Sequence, residues 1–81
     1  MIVLNKTRRQ KLNSAISHLE EAKKIVTFVY DEEDNAKENL PENLQCSSRY
    51  DILDFAVECL DSALNYIDDA TDDIKKAAYG E

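Results

Sequence analysis

Eighty-one residues leave room for one domain, and a chain this short buries only about 60 to 65% of its unfolded surface, so a lone two-helix unit is marginal and self-association is expected. A net charge of −7 argues against direct nucleic-acid binding, which draws its affinity from Lys and Arg neutralising phosphates. Two cysteines and one histidine cannot assemble a tetrahedral zinc site, and no window approaches the ~20 apolar residues of a membrane span, so no metal, cofactor or membrane is expected.

The opening MIVLNKTRR sets a short apolar run before its charges, the wrong order and length for a signal peptide, and the expected location is a reducing cytoplasm. There Cys46 and Cys59 pack as small apolar side chains. Between Thr7 and Leu40 there is no Gly or Pro. Apolar residues recur at Leu12, Ala15, Ile16, Leu19, Ala22, Val26, Val29, Ala36 and Leu40, a spacing of three and four that places one stripe on a helix from about residue 5 to 39. Its start is marked by Asn5, or by Thr7 in a TRRQ capping box. Pro41 stops it, because proline clashes with the preceding turn. After a loop at 40–47, SRYD from Ser48 to Asp51 repeats the capping pattern and opens a second helix, which runs to about Tyr79 before Gly80.

Written as heptads, the second helix places Leu53, Leu60, Ile67 and Ile74 at one seam position and Ala56, Ala63, Ala70 and Ala77 at the other. The first mirrors it with Leu12, Leu19 and Val26 against Ala15, Ala22, Val29 and Ala36. Large residues facing small ones at this spacing let two backbones approach closely, and a short connection makes the pair antiparallel. The fold class is therefore all-α, an antiparallel two-helix hairpin with an Ala-rich coiled-coil seam. With its turn near Asn43, Ser14 lies opposite Asp73. Ile16, Ile25, Phe28, Phe55, Val57, Cys59, Leu64 and Tyr66 fall outside the Ala stripe. They either widen the core of the hairpin or are covered by a second copy in a four-helix bundle, and the second arrangement is expected.

Charge is unevenly spread. Up to Tyr30 there are six bases and two acids, and from Asp31 onward four bases and 15 acids. Asp31, Glu33, Asn35 and Glu42 match calcium-loop spacing, but Ala36 stands where the turn glycine belongs and the heptad continues through. Asp68, Asp69, Asp72 and Asp73 form a solvated face or, in the sharper reading, a phosphate-mimicking face for a basic protein. Lys6, Arg8, Arg9 and Lys11 form either surface ion pairs with nearby acids or an anion site completed by a second chain. His18 sits among Lys and Glu with no partnered base, so no enzyme is expected. The loop carries more polar equipment than a turn requires. Asn39, Asn43, Gln45, Ser47, Ser48 and Arg49 supply amide, hydroxyl and guanidinium groups, and Tyr50 an aromatic face, the tools for holding a nucleobase and phosphate. The same groups can instead cap both helix ends.

NKTRRQKL, then DEEDNAKENLPENLQCSSRYD, then an acid-rich helix with spaced alanines together resemble a family of small acidic helical proteins encoded by phages and prophages of Gram-positive bacteria. The specific part is the NLPENLQ loop with its following Ser47, Arg49 and Tyr50, and the likeness spans nearly the whole chain. It implies a phage or prophage origin and carries over no binding or catalytic residue. Small accessory phage proteins often counter host defence, some by sequestering nucleotide immune signals in helical oligomers, others as acidic inhibitors of nucleases. The expected function is thus binding: a homo-oligomer that takes up a nucleotide-type small molecule through Asn43, Gln45, Arg49, Tyr50, Arg8 and Arg9. The alternatives are an acidic inhibitor of a host defence protein acting through Asp68, Asp69, Asp72 and Asp73, or a virion or assembly component.

Overall fold

Two long helices and a short turn make up nearly all of the described residues. In a computed structural model, which describes residues 6–44 and 47–80, α1 runs Lys6–Glu38, a 3-10 turn occupies Glu42–Leu44 and α2 runs Ser48–Tyr79. No strand occurs among the described residues. α1 continues through the acid run, so Asp31, Glu33 and Asn35 lie inside a helix, where their side chains fan outward and cannot converge on a calcium ion. It ends ahead of Pro41, with the Leu40 N–H reaching the Lys37 carbonyl at 3.4 Å in a tightened last turn. Gly80 closes α2 in the left-handed region, at φ 71°, and its N–H donates to the Lys76 carbonyl at 2.8 Å. A residue with a Cβ is disfavoured there.

Neither capping box forms as expected. Thr7 lies within α1, and Asn5 is outside the described residues. At α2 the N-cap is Ser47, in an extended conformation, and its hydroxyl donates back to the Leu44 carbonyl and accepts no hydrogen bond from the first N–H groups of the helix. Ser48 is therefore the first helical residue.

Three contacts across the pair set the antiparallel register. Lys37 Nζ donates to Asp54 Oδ1 at 3.1 Å, Lys23 Nζ lies 2.7 Å from Asp68 Oδ1, and the Tyr79 hydroxyl meets Asn13 Oδ1 at 2.6 Å. Ser14, one position on from Asn13, is therefore level with Ala78 and not with Asp73. The expected register is displaced by more than a helical turn because the chain carries on past Glu38 through Glu42–Leu44 before it reverses.

Leu53, Leu60, Ile67 and Ile74 form the half-buried row of α2 with Ala56, Ala63 and Ala70, against Leu12, Ala15, Leu19, Ala22 and Val26 of α1. At the two ends the heptad fails: Ala36 and Ala77 are exposed, Val29 is at the edge, and Lys37, Ala78 and Tyr30 hold the inward places. A straight α-helix drifts by ~20° per heptad from a strict seven-residue repeat, so the contact line moves on by one residue toward the ends. Among the described residues only Ile16, Val57 and Ala78 are buried.

Such a thin core leaves much surface wet. The accessible area is 6142 Å², against roughly 5,000 Å² for a compact monomer of this mass. The molecule measures 60 × 18 × 13 Å with a radius of gyration of 18.1 Å, where a globular domain of this length has ~12 Å. Of the apolar residues outside the Ala stripe, Ile16 and Val57 join the core and Leu64 is half-buried. Ile25, Phe28, Phe55, Cys59 and Tyr66 remain exposed. No helix among the described residues is long and apolar enough to cross a membrane.

Candidate functional site

The end of the rod at Leu40–Tyr50 gathers most of the surplus polar groups. Pro41 sets up the 3-10 turn, closed by the Leu44 N–H donating to the Pro41 carbonyl at 2.8 Å, and the Ser47 N–H donates to the Leu44 carbonyl at 3.1 Å. Because the Ser47 side chain is turned toward Leu44, no side-chain cap serves the first amides of α2, which leaves them able to meet an anion or water. Asn43 and Arg49 are exposed at this end and Tyr50 is half-buried. Gln45 lies outside the described residues.

Tyr50 is not an open stacking face. Lys37 Nζ stands 5.9 Å from its ring centroid, while the same ammonium donates to Asp54 and lies 3.9 Å from Asp34 Oδ1. The hydrogen bond to Asp54 raises the Lys37 pKa above its usual 10.5, against the opposing pull of desolvation, and the charges of Asp54, Tyr50 and Asp34 add to the rise. Lys37 thus ties the last turn of α1 to the first turns of α2. Sequence reasoning passed over it, although Val26, Tyr30, Glu33 and Lys37 follow each other in steps of four, three and four, and that spacing was the available signal.

Arg8 and Arg9 sit at the opposite end of a 60 Å rod. Arg9 is half-buried with its guanidinium carbon 5.7 Å from the centroid of the Tyr79 ring, and both arginines are already engaged in contacts. One chain therefore does not bring Arg8 and Arg9 together with Asn43, Arg49 and Tyr50.

The four aspartates of the acidic alternative also disperse. Asp68 is paired with Lys23 and, with Asp72, borders a groove across the helix seam that also contains Thr71 and Lys75. Asp69 and Asp73 are exposed, and at ~100° per residue they turn away from that groove. The helix pairing also divides the charge. The half of the rod nearest the termini, residues 6–24 and 67–80, carries eight bases and six acids, and the loop half, residues 25–66, two bases and ten acids. An anionic ligand at the loop end of a single copy meets a repulsive field. Comparison with protein-family models, with curated proteins and with solved structures finds no match.

Proposed function

We propose that this chain is a non-catalytic binding protein of a phage or prophage, working as a homo-oligomer in the cytoplasm of the infected or lysogenic host, that counters a host defence by sequestering a nucleotide-type signal. The observation that carries this reading is the pairing of exposed Arg49 and Asn43 with the side-chain-uncapped start of α2 at one end of the rod. Guanidinium and helix-start amides both suit phosphate. The surrounding acids oppose it, so the basic ends of other copies, with Arg8 and Arg9, supply the balancing charge. Calorimetry with a panel of cyclic nucleotides and ADP-ribose derivatives tests the reading. Binding that Arg49→Ala abolishes supports it, and absence of heat with every member of the panel rejects it.

A second reading, an acidic inhibitor that binds a host nuclease or defence protein, is favoured by the exposed Asp69, Asp72 and Asp73. It predicts salt-sensitive binding to a basic protein, lost when these residues and Asp68 are changed to Asn. A virion or assembly component would instead purify with particles.

A further inference from the structure

The exposed apolar side chains are not scattered over the rod. At ~100° per residue, Ile25, Val29 and Ala36 stand on one flank of the inward row of α1, and Ile52, Cys59 and Tyr66 on one flank of that of α2, with Phe55 just behind them. All are exposed. Because the helices are antiparallel, the same sense of rotation on each brings both flanks to the same side of the hairpin. The Lys23–Asp68 and Lys37–Asp54 pairs set the levels, with Ile25 beside Tyr66 and Val29 beside Ser62. Phe55, Cys59, Ser62, Ala63 and Tyr66, with Glu58 at the margin, line one shallow depression at its centre. Phe28 points to the far side of α1, against Lys24 and Thr27.

The size of this face decides between a bare surface and a covered one. Tyr66 is 72% exposed, Phe55 69%, Ile52 68% and Ile25 58%. With ~150–250 Å² per aromatic side chain and somewhat less per aliphatic one, the face presents roughly 600 Å² of continuous apolar area. That is the upper end of the ~300–600 Å² found for the largest patch on a monomer. Two such faces covering each other remove about 1,200 Å², the threshold of a stable specific interface.

Charge then selects the sense of the pairing. A parallel pair lays the loop half, with its ten acids and two bases, against its own copy. It also lays the basic tip, Lys6, Arg8, Arg9 and Lys11, on its own copy. An antiparallel pair centred on this face still sets the middle of the loop half against itself. It parts the two basic tips, however, and carries each past the acidic loop end of the other copy, which is the more complementary arrangement.

We propose that a second copy of this chain covers this face in antiparallel orientation, as a four-helix bundle whose two-fold axis passes between Cys59 and Ser62. The arrangement deepens the self-association on which the functional reading rests, since it carries Arg8 and Arg9 of one copy toward the loop end of the other. It stands or falls without any ligand.

Sedimentation of the full chain at tens of micromolar shows a dimer of the 9.3 kDa subunit on this proposal. Phe55→Glu and Tyr66→Glu weaken the dimer at least tenfold with the helical circular-dichroism signal retained, whereas Phe28→Glu leaves it intact. A monomeric wild-type chain overturns the proposal, as does a dimer indifferent to both of those face variants. The sense is read from spin labels at Asn43→Cys with Cys46 and Cys59 changed to Ser. At ~1.5 Å per helical residue the antiparallel pair separates the labels by about 40 Å, and this distance remains diagnostic even where a Glu variant unfolds. Labels within about 20 Å of each other mean a parallel pair and overturn the proposal. An intact antiparallel dimer that binds no nucleotide rejects the sequestration reading alone.

Discussion

The Tyr79 hydroxyl donates to the Asn13 carboxamide oxygen at 2.6 Å, joining two residues 66 positions apart in the chain. The same ring lies 5.7 Å from the Arg9 guanidinium carbon, and its neighbour Ala78 is fully buried. Together they close the terminal end of the hairpin and fix which residues of α1 and α2 stand level.

The bond is exposed, so its net worth is at the low end for a hydrogen bond. Tyr79→Phe is expected to cost less than about 1 kcal/mol. Tyr79→Ala also loses the ring beneath Arg9, a further ~0.5–1 kcal/mol, together with its packing. Urea denaturation of the two variants measures the difference, and equal midpoints would show that the ring contributes nothing beyond its hydroxyl.

Register has its own test at the last two alanines of α2. Ala78 is fully buried and Ala77 exposed, whereas strict heptad spacing puts Ala77 on the seam. Ala78→Leu forces extra methylenes into a closed contact and is expected to cost ~1–3 kcal/mol. Ala77→Leu, in solvent, is expected to stay within about 0.5 kcal/mol of the parent. The reverse order of melting temperatures would restore the heptad register.

That pair of alanines also marks how far the sequence could be read. The helices, their antiparallel pairing and the middle of the seam were legible because spacing alone sets which residues share a face. The ends were not, because a seven-residue repeat and a 3.6-residue turn diverge by ~20° per heptad, which is enough by Ala36 and Ala77 to exchange one residue for the next. Asn43 and Arg49 were legible as polar groups at the loop end. The filling of the Tyr50 ring face by Lys37 was not, since Ala36 matched the apolar pattern and drew the seam onto itself. The separation of Arg8 and Arg9 from the loop follows from a single hairpin 60 Å long.

Ile16 is one of only three buried residues described, and Phe28, also on α1, is 65% exposed. Ile16→Ala is therefore expected to cost ~2–4 kcal/mol, a large part of the stability of so small a domain. Phe28→Ala should change it by less than about 0.5 kcal/mol. Chemical denaturation distinguishes the two, and a Phe28→Ala cost approaching that of Ile16→Ala would place an unrecognised contact on the far side of α1.

Lys37 joins Asp54, Asp34 and the Tyr50 ring at the loop end, and its pKa is raised above 10.5, chiefly by the Asp54 hydrogen bond. Folding therefore favours the protonated form. The stabilisation is fully present below the unfolded value of about 10.5 and is lost as pH rises through the still higher folded value. Lys37→Met keeps the length of the apolar stem and removes the charge, so it isolates this contribution from packing. The variant is expected to melt a few degrees below the parent, by an amount that is constant from neutral pH up to about 10 and then shrinks as the parent loses its proton. Thermal melts of both proteins between pH 7 and 11.5 supply the comparison. A gap that widened above pH 10.5 would mean that Lys37 holds the two helices together as a neutral amine, and the hydrogen bond to Asp54 could then not be its source.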